Sequence, residues 1–362
     1  MNFSTDYAAL LEQLDHLDPI AYGKTRNFID GAVTKLSPYI SRGVISTKLV
    51  MEKVLANGYD PYQIEKFLQE LAWRDYWQQV WIEKGEAINH DLKHEQWDVE
   101  NHEMPITIDQ AQTGIEAIDE AIGEFYQNGY LHNHIRMYIA AIACNIGKAH
   151  WKVPAQWMYY YLLDGDWASN ALSWQWVAGA NANKKYVANQ ENINKYCYTN
   201  QRDGFLNVPY SEFEHMSIPE ELRETHLPEL ATPLPEKATI ALDENLPLLI
   251  YNYYNLDPQW RSDQAANRVL LLEPSVFEKY PIGENAVRFM LGLAENIEGL
   301  QVFTGEFEKL KSMTGSNPIY YKEHPLNGHY EGEEDARDWM FTVKGYFPSF
   351  FGFWKKCRKE LK

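Results

Sequence analysis

Residues 130–176 gather the side chains from which a ligand site is made. Arg136 opens an apolar helical segment, Asp164 and Asp166 flank Gly165, and Asn133 and Asn170 stand near the two ends, with five tryptophans in the same stretch. Polar groups in such surroundings are costly to bury unless they are paired or occupied. A guanidinium among apolar residues calls for a carboxylate, and Asp164 is the natural partner for Arg136. A large aromatic ligand with polar edges would satisfy the remainder. Taken singly, Asp164-Gly165-Asp166 reads as a loop of solvated acids, and Trp174 and Trp176 read as core. Their company is what points to a site.

No other constellation competes with it. The chain carries no G-x-G-x-x-G after a strand and no G-x-x-x-x-G-K-[ST], so neither a dinucleotide fingerprint nor a P-loop is expected. His90 and His94 have i, i+4 spacing but no third ligand at a useful spacing, and no metal is expected there. No nucleophile elbow accompanies a serine.

The elements that must position these residues follow from periodicity. Apolar spacing predicts a first helix ending at Asp18-Pro19, then a loop over residues 22–31. Ser37 has the form of an N-cap with Pro38 in the first turn, and Ser46 can cap the helix after it. Residues 62–83 carry a wide apolar and aromatic face, and residues 86–113 are irregular. A helix over 115–128 stops at Gly129, and residues 136–148 and 155–163 form two more buried helices. Residues 204–244 are rich in proline and acids and read as a linker. Beyond them, apolar runs at 248–251, 269–272, 300–303 and 318–321, with a helix over 285–297, predict buried parallel strands. The expected fold class is mostly α: an all-helical domain over residues 1–203, a linker-like segment over 204–244 and a small α/β domain over 245–362.

Composition sets outer bounds. With 362 residues, 45% hydrophobic and 14% aromatic, the chain is expected to fold around a sizeable core. Three scattered cysteines (Cys144, Cys197 and Cys357) make no disulfide framework, so a reducing cytoplasm is the expected location. No signal-peptide pattern and no membrane-length apolar run is present, and no membrane partner is expected. A net charge of −18 argues against loose, charge-driven binding to nucleic acid. A local basic groove would need Arg26, Arg42, Lys148, Lys152, Lys184 and Lys185 around one pocket mouth.

Several runs, taken in order, resemble the flavin-binding catalytic domain of the DNA photolyase/cryptochrome family. They are Tyr22 and Arg26, Thr34-Lys35-Leu36-Ser37-Pro38-Tyr39, Glu70-Leu71-Ala72-Trp73-Arg74, and His132-Asn133-His134-Ile135-Arg136-Met137. Asp164-Gly165-Asp166, Asn170, Trp174 and Trp176 complete the series, which covers about half the chain. The resemblance implies an all-helical domain that holds FAD folded into a U. Thr34, Leu36 and Ser37 match the segment at the FAD phosphates, and Tyr22 an aromatic of the same pocket. Arg136 and Asp164 match an ion pair over the flavin, Asp166 a carboxylate near its polar edge, and Asn170 the side chain facing N5. Arg74, Asn133 and Gly165 belong to the matching runs on the cofactor side.

Trp174, Trp151 and Trp97 match an electron-hopping chain from flavin to surface, a task that suits indole because it can be oxidised transiently. Glu70, Trp73, Asn133, Met137 and Trp176 match a pocket for a flipped cyclobutane pyrimidine dimer, with Glu70 at the pyrimidine edge. The implied reaction is light-driven electron donation from reduced FAD, splitting of the dimer and return of the electron, with UV-damaged DNA as partner. The chain departs from the family at three points. His134 and Lys35 stand where arginines are usual, Tyr130 replaces a tryptophan, and the amino-terminal antenna domain is expected to be absent. Residues 245–325 are then a relocated counterpart of that domain or an unrelated one, and whether an antenna chromophore binds is left open. Two further readings follow from the departures and the acidity: a light sensor signalling through a protein partner, and a flavoprotein with no DNA role.

Overall fold

The computed structural model describes residues 3–361. In chain order the first helices are α1 (Tyr7–Asp15), α2 (Pro19–Thr25), α3 (Ser37–Ser41), α4 (Thr47–Ala56) and the long α5 (Glu65–Lys84). A two-residue strand β1 (Met104–Pro105) precedes α6 (Ile106–Asp109), α7 (Glu116–Asn128), α8 (Asn133–Ala141), α9 (Lys152–Tyr161), α10 (Trp167–Ala178) and α11 (Gln190–Cys197). After β2 (Thr225–His226) come β3 (Leu248–Tyr251), β4 (Asn267–Leu272), α12 (Pro274–Lys279), α13 (Glu284–Ala294) and β5 (Leu300–Thr304). The chain continues through α14 (Phe307–Lys311), β6 (Ile319–Lys322), β7 (Glu333–Asp335) and α15 (Phe350–Cys357).

These elements sort into two compact units. The first takes the chain up to Ile20, Thr34–Glu83 and the chain from Ala231 on; the second takes Ala21–Val33 and Lys84–Leu230.

The first unit is centred on a five-stranded, all-parallel sheet of order β5-β4-β3-β6-β7, with Ile250 opposite Val269 and Leu270 opposite Val302. Every residue of β3 is buried, as a central parallel strand covered on both faces requires. One core cluster joins Leu248, Ile250, Val269 and Leu271 to Phe303, Phe307, Leu310 and Tyr321. Strand order reverses between β3 and β6, the crevice where open α/β sheets commonly take ligands. Buried side chains gather beyond the ends of β3 and β6. The His324 ring stacks on Tyr254 at 4.1 Å and meets the edge of Trp81 at 5.2 Å, and the Arg42 guanidinium lies 3.2 Å over Tyr253.

The second unit is helical. Gly129 ends α7 in the left-handed region (φ 68°), where glycine has no steric penalty. After α8 the backbone widens into a π-helical turn at Ile142–Ile146. Asn189 caps α11 by accepting from Asn192 N. The one strand pair, β1 with β2, is antiparallel.

Several expectations need correction. Residues 22–25 belong to α2, because Pro19 occupies its first position and Asp18 Oδ1 accepts from Ile20 N. Ser37 does not cap α3; the cap position is Leu36, with no side-chain bond, whereas Ser46 does cap α4 by accepting from Leu49 N at 3.0 Å. Helix α8 starts at Asn133, three residues before the expected position, with His132 as its cap. Strand β1 lies before residue 200, where no strand is expected. Strand β7 has no apolar signature, since Glu333-Glu334-Asp335 is an exposed, acidic edge strand of the kind that discourages further pairing.

Candidate functional site: a polar cluster between helices α8, α9 and α10

The best-defined polar cluster lies in the second unit. Arg136, in the first turn of α8, donates from Nη2 to both carboxylate oxygens of Asp164 at 3.0 Å and from Nε to the Leu131 carbonyl at 3.0 Å. The Asp164 side chain is only 2% exposed, so the pair is a largely desolvated one, and losing either partner would strand a charge. Tyr130 stays close to the pair, with the Arg136 guanidinium 5.9 Å from its ring.

Asp164-Gly165-Asp166 links α9 to α10. Gly165 is required by space, because a Cβ there would approach the Tyr159 and Leu162 carbonyls to 3.0 and 3.1 Å. Asp166 is extended and caps α10, accepting from Ser169 N at 2.7 Å, and it is itself buried. Asn170, one turn further on, donates from Nδ2 to the Ala155 carbonyl at 2.7 Å, which fixes the amide against α9. The Oγ of Ser169 is buried with no partner within the protein, as expected of a wall that takes a polar cofactor.

The three tryptophans of the expected electron chain differ in depth. Trp174 and Trp151 are buried, and Trp97 is 45% exposed. Trp151 is anchored by Nε1 to Asp91 at 2.7 Å, and Asp91 also accepts from Gln96 N. Gln175 braces α10 from the other side, through Ile88 and Leu92. Asp91 and Gln175 carry no sequence signal, as their partners lie far away in the chain. Of the residues assigned to substrate, Asn133 is exposed, Met137 half-buried and Trp176 exposed, its ring 6.1 Å from Tyr186. Tyr22 is half-buried on α2.

The first unit holds the remaining candidates. Thr34 Oγ1 accepts from Leu36 N at 3.4 Å, Leu36 is buried, and Ser37 begins α3. Arg74 donates to Ser41 Oγ at 3.0 Å. Glu70 pairs with Lys66 at 2.7 Å on α5. The Trp73 ring is stacked by Phe350 at 3.8 Å and 10°, a contact that sequence reasoning missed.

Three of the six cations of the expected basic groove are buried or engaged by other side chains. Arg42 is fully buried, Lys148 pairs with Asp98 and Glu100, and Lys185 pairs with Asp98 and lies 5.3 Å from the Trp97 ring.

His132, the cap of α8, is held neutral. Burial, then His134 and Arg136, lower it from 6.5 to about 4. The unfolded chain therefore binds more protons between these values, and stability present above pH 6.5 is lost as the pH falls towards 4. A loss of roughly 3 kcal/mol is the upper scale of the effect. Urea unfolding at pH 7 and pH 4.5 should show a smaller acid loss in His132→Gln than in wild type. Equal losses would remove His132 from the account.

Part of the chain is similar to known proteins. Residues 67–220 match the family model described as the FAD binding domain of DNA photolyase. The deoxyribodipyrimidine photo-lyase of Streptomyces griseus is 31% identical over 150 residues, 41% of this chain and 32% of that protein. Cryptochrome DASH of Danio rerio is 28% identical over 172 residues, 44% of this chain and 32% of that one. The match thus spans about a third of the length of these curated relatives. Among solved structures, the Synechocystis sp. PCC6803 cryptochrome aligns with a TM-score of 0.49 at 24% identity, covering 54% of this chain and 44% of that one. Residues 67–220 are thus similar to the FAD binding domain of DNA photolyase, a domain whose cofactor is FAD.

Proposed function

We propose that this protein uses blue light to drive electron transfer from reduced FAD into cyclobutane pyrimidine dimers in DNA. The observation that carries the reading is the fixed amide of Asn170. Its Nδ2 gives one of its two hydrogens to the Ala155 carbonyl, and Oδ1 remains as an acceptor for the cofactor. An acceptor opposite N5 favours a flavin protonated there, which is the reduced, electron-donating form. FAD supplies the excited-state electron when bound.

The chain's own residues do the rest. Within the second unit, Arg136 and Asp164 form a fixed dipolar pair beside the cofactor, Asp166 takes its polar edge, and Tyr22 lines the same pocket. Trp176 on α10 gives a flat wall for a flipped base, with Asn133 and Met137 carried by α8. Glu70 would hydrogen-bond the pyrimidine edge once released from Lys66. The deoxyribodipyrimidine photo-lyase name among the relatives agrees with this role.

A second reading, a light sensor that signals through a protein partner, is favoured by the cations tied up by Asp98 and Glu100 and by the covered Trp73 ring. Among the described residues no helix is long and apolar enough to cross a membrane, so neither reading calls on one.

Light-dependent repair of a dimer-containing oligonucleotide by flavin-replete, reduced protein separates the two. Repair is expected, with a strong loss in Trp176→Ala and Glu70→Ala. Absence of repair by the wild type would leave the sensor reading.

A further inference from the structure

The segment from Arg337 to Cys357 runs along α5. Arg337 Nη1 donates to Gln78 Oε1, Met340 N to Asp75 Oδ2 at 2.9 Å, and Gly345 N to Gln79 Oε1 at 2.9 Å. It ends in α15, whose inner face (Phe350, Phe353, Trp354 and Cys357) is buried. Phe350 lies flat on Trp73, with centroids 3.8 Å apart and planes within 10°. Tyr76 borders the pair, 5.8 Å from Phe350, and donates to the Phe347 carbonyl at 3.0 Å. A latch holds the far end, where Glu65 accepts from Trp354 Nε1 at 2.9 Å and from Arg358 Nε at 3.3 Å.

The outer face has the opposite character. Phe351 is 68% exposed, and Lys355, Lys356 and Lys359 are exposed as well. In a chain of net charge −18 this is a local concentration of positive charge beside an exposed aromatic ring, which meets Phe350 edge-on at 5.5 Å. That pairing suits the phosphates and bases of a nucleic acid strand.

We propose that α15 is a displaceable plug, in which Phe350 takes the stacking place on Trp73 that a nucleic acid base would occupy. Single-stranded or flipped nucleotides, attracted by the lysines of the outer face, then compete with Phe350 for the Trp73 ring. The ion pair of the latch, Arg358 with Glu65, is partly exposed and contributes little, so the hold on α15 comes mainly from its buried face. The inference rests on the reading that Trp73 belongs to a base-accepting face.

The test uses the full flavin-loaded chain and a labelled single-stranded deoxyoligonucleotide carrying one cyclobutane dimer. Phe350→Leu keeps an apolar side chain but removes the flat ring. It should bind about tenfold more tightly than wild type by anisotropy, a factor within the range of one base–aromatic stack. The gain should vanish in Phe350→Leu/Trp73→Ala. Equal affinity of wild type and Phe350→Leu would overturn the plug, as would a gain confined to phosphatidylserine vesicles.

If Phe350→Leu fails to fold, hydrogen exchange in the wild type decides. Saturating oligonucleotide should speed exchange over residues 350–357, and unchanged or slower exchange overturns the proposal. The repair reading fails separately: Phe350→Leu that binds tightly yet splits no dimer in light sinks repair and leaves the plug standing.

Discussion

Asp164→Asn is expected to lower the stability of the protein by about 3 kcal/mol and to strip it of FAD. The scale follows from the burial of the pair: removing one member leaves the other without its counter-charge in a site that water reaches poorly. Arg136 donates to both oxygens of Asp164, and an amide can accept at only one of them. Urea unfolding of the apo and loaded forms, with flavin content read from absorption, gives both numbers. A double variant, Arg136→Met/Asp164→Leu, should regain part of the stability but none of the flavin, since it restores packing without charge. A loss below about 1 kcal/mol in Asp164→Asn would mean that the pair behaves as an exposed one.

Trp174→Phe should slow photoreduction of the bound flavin by about a hundredfold, equivalent to roughly 2.7 kcal/mol on the barrier. Phenylalanine keeps most of the buried volume but is far harder to oxidise than indole. Trp174 is the informative position because it is buried, whereas Trp151 also holds Asp91 and its loss would confuse packing with electron transfer. Trp97→Phe should act later, at the exposed end, and shorten the life of the separated charges more than it slows their formation. Rates are to be taken per bound flavin, by flash absorption with an external reductant. An unchanged rate in Trp174→Phe would remove this tryptophan from the path.

The sequence was readable where a local signal and the tertiary structure agree. The runs at β3, β4 and β5 are apolar because parallel strands are covered on both faces, so their positions were legible to within two residues. The Arg136–Asp164 pair was legible because an arginine in an apolar helix narrows the choice of partner to few residues. Strand β7 was not, because its Glu-Glu-Asp run pairs through backbone alone at the sheet edge. Helix α2 was hidden by Gly23 and by polar residues that favour a loop reading. The Asp91–Trp151 bond and the Phe350–Trp73 stack join residues far apart in the chain with no spacing rule between them. Ser37 shows the reverse failure, a correct local cue for a cap that the backbone does not use.

The make-up of the first unit also sets an order of events during synthesis. Residues 34–83 emerge from the ribosome early, yet the strands they cluster with, β3 to β7, follow only after the whole of Lys84–Leu230. At ordinary elongation rates that interval is on the order of ten seconds, long enough for the intervening unit to fold by itself. Meanwhile Trp73 and Trp81 of α5 lack the later residues that meet them, Phe350 for the one and Tyr254, Tyr280 and His324 for the other. The nascent chain therefore carries uncovered apolar surface until its last third arrives, and closing so long a loop makes the sheet the late and slow part of folding.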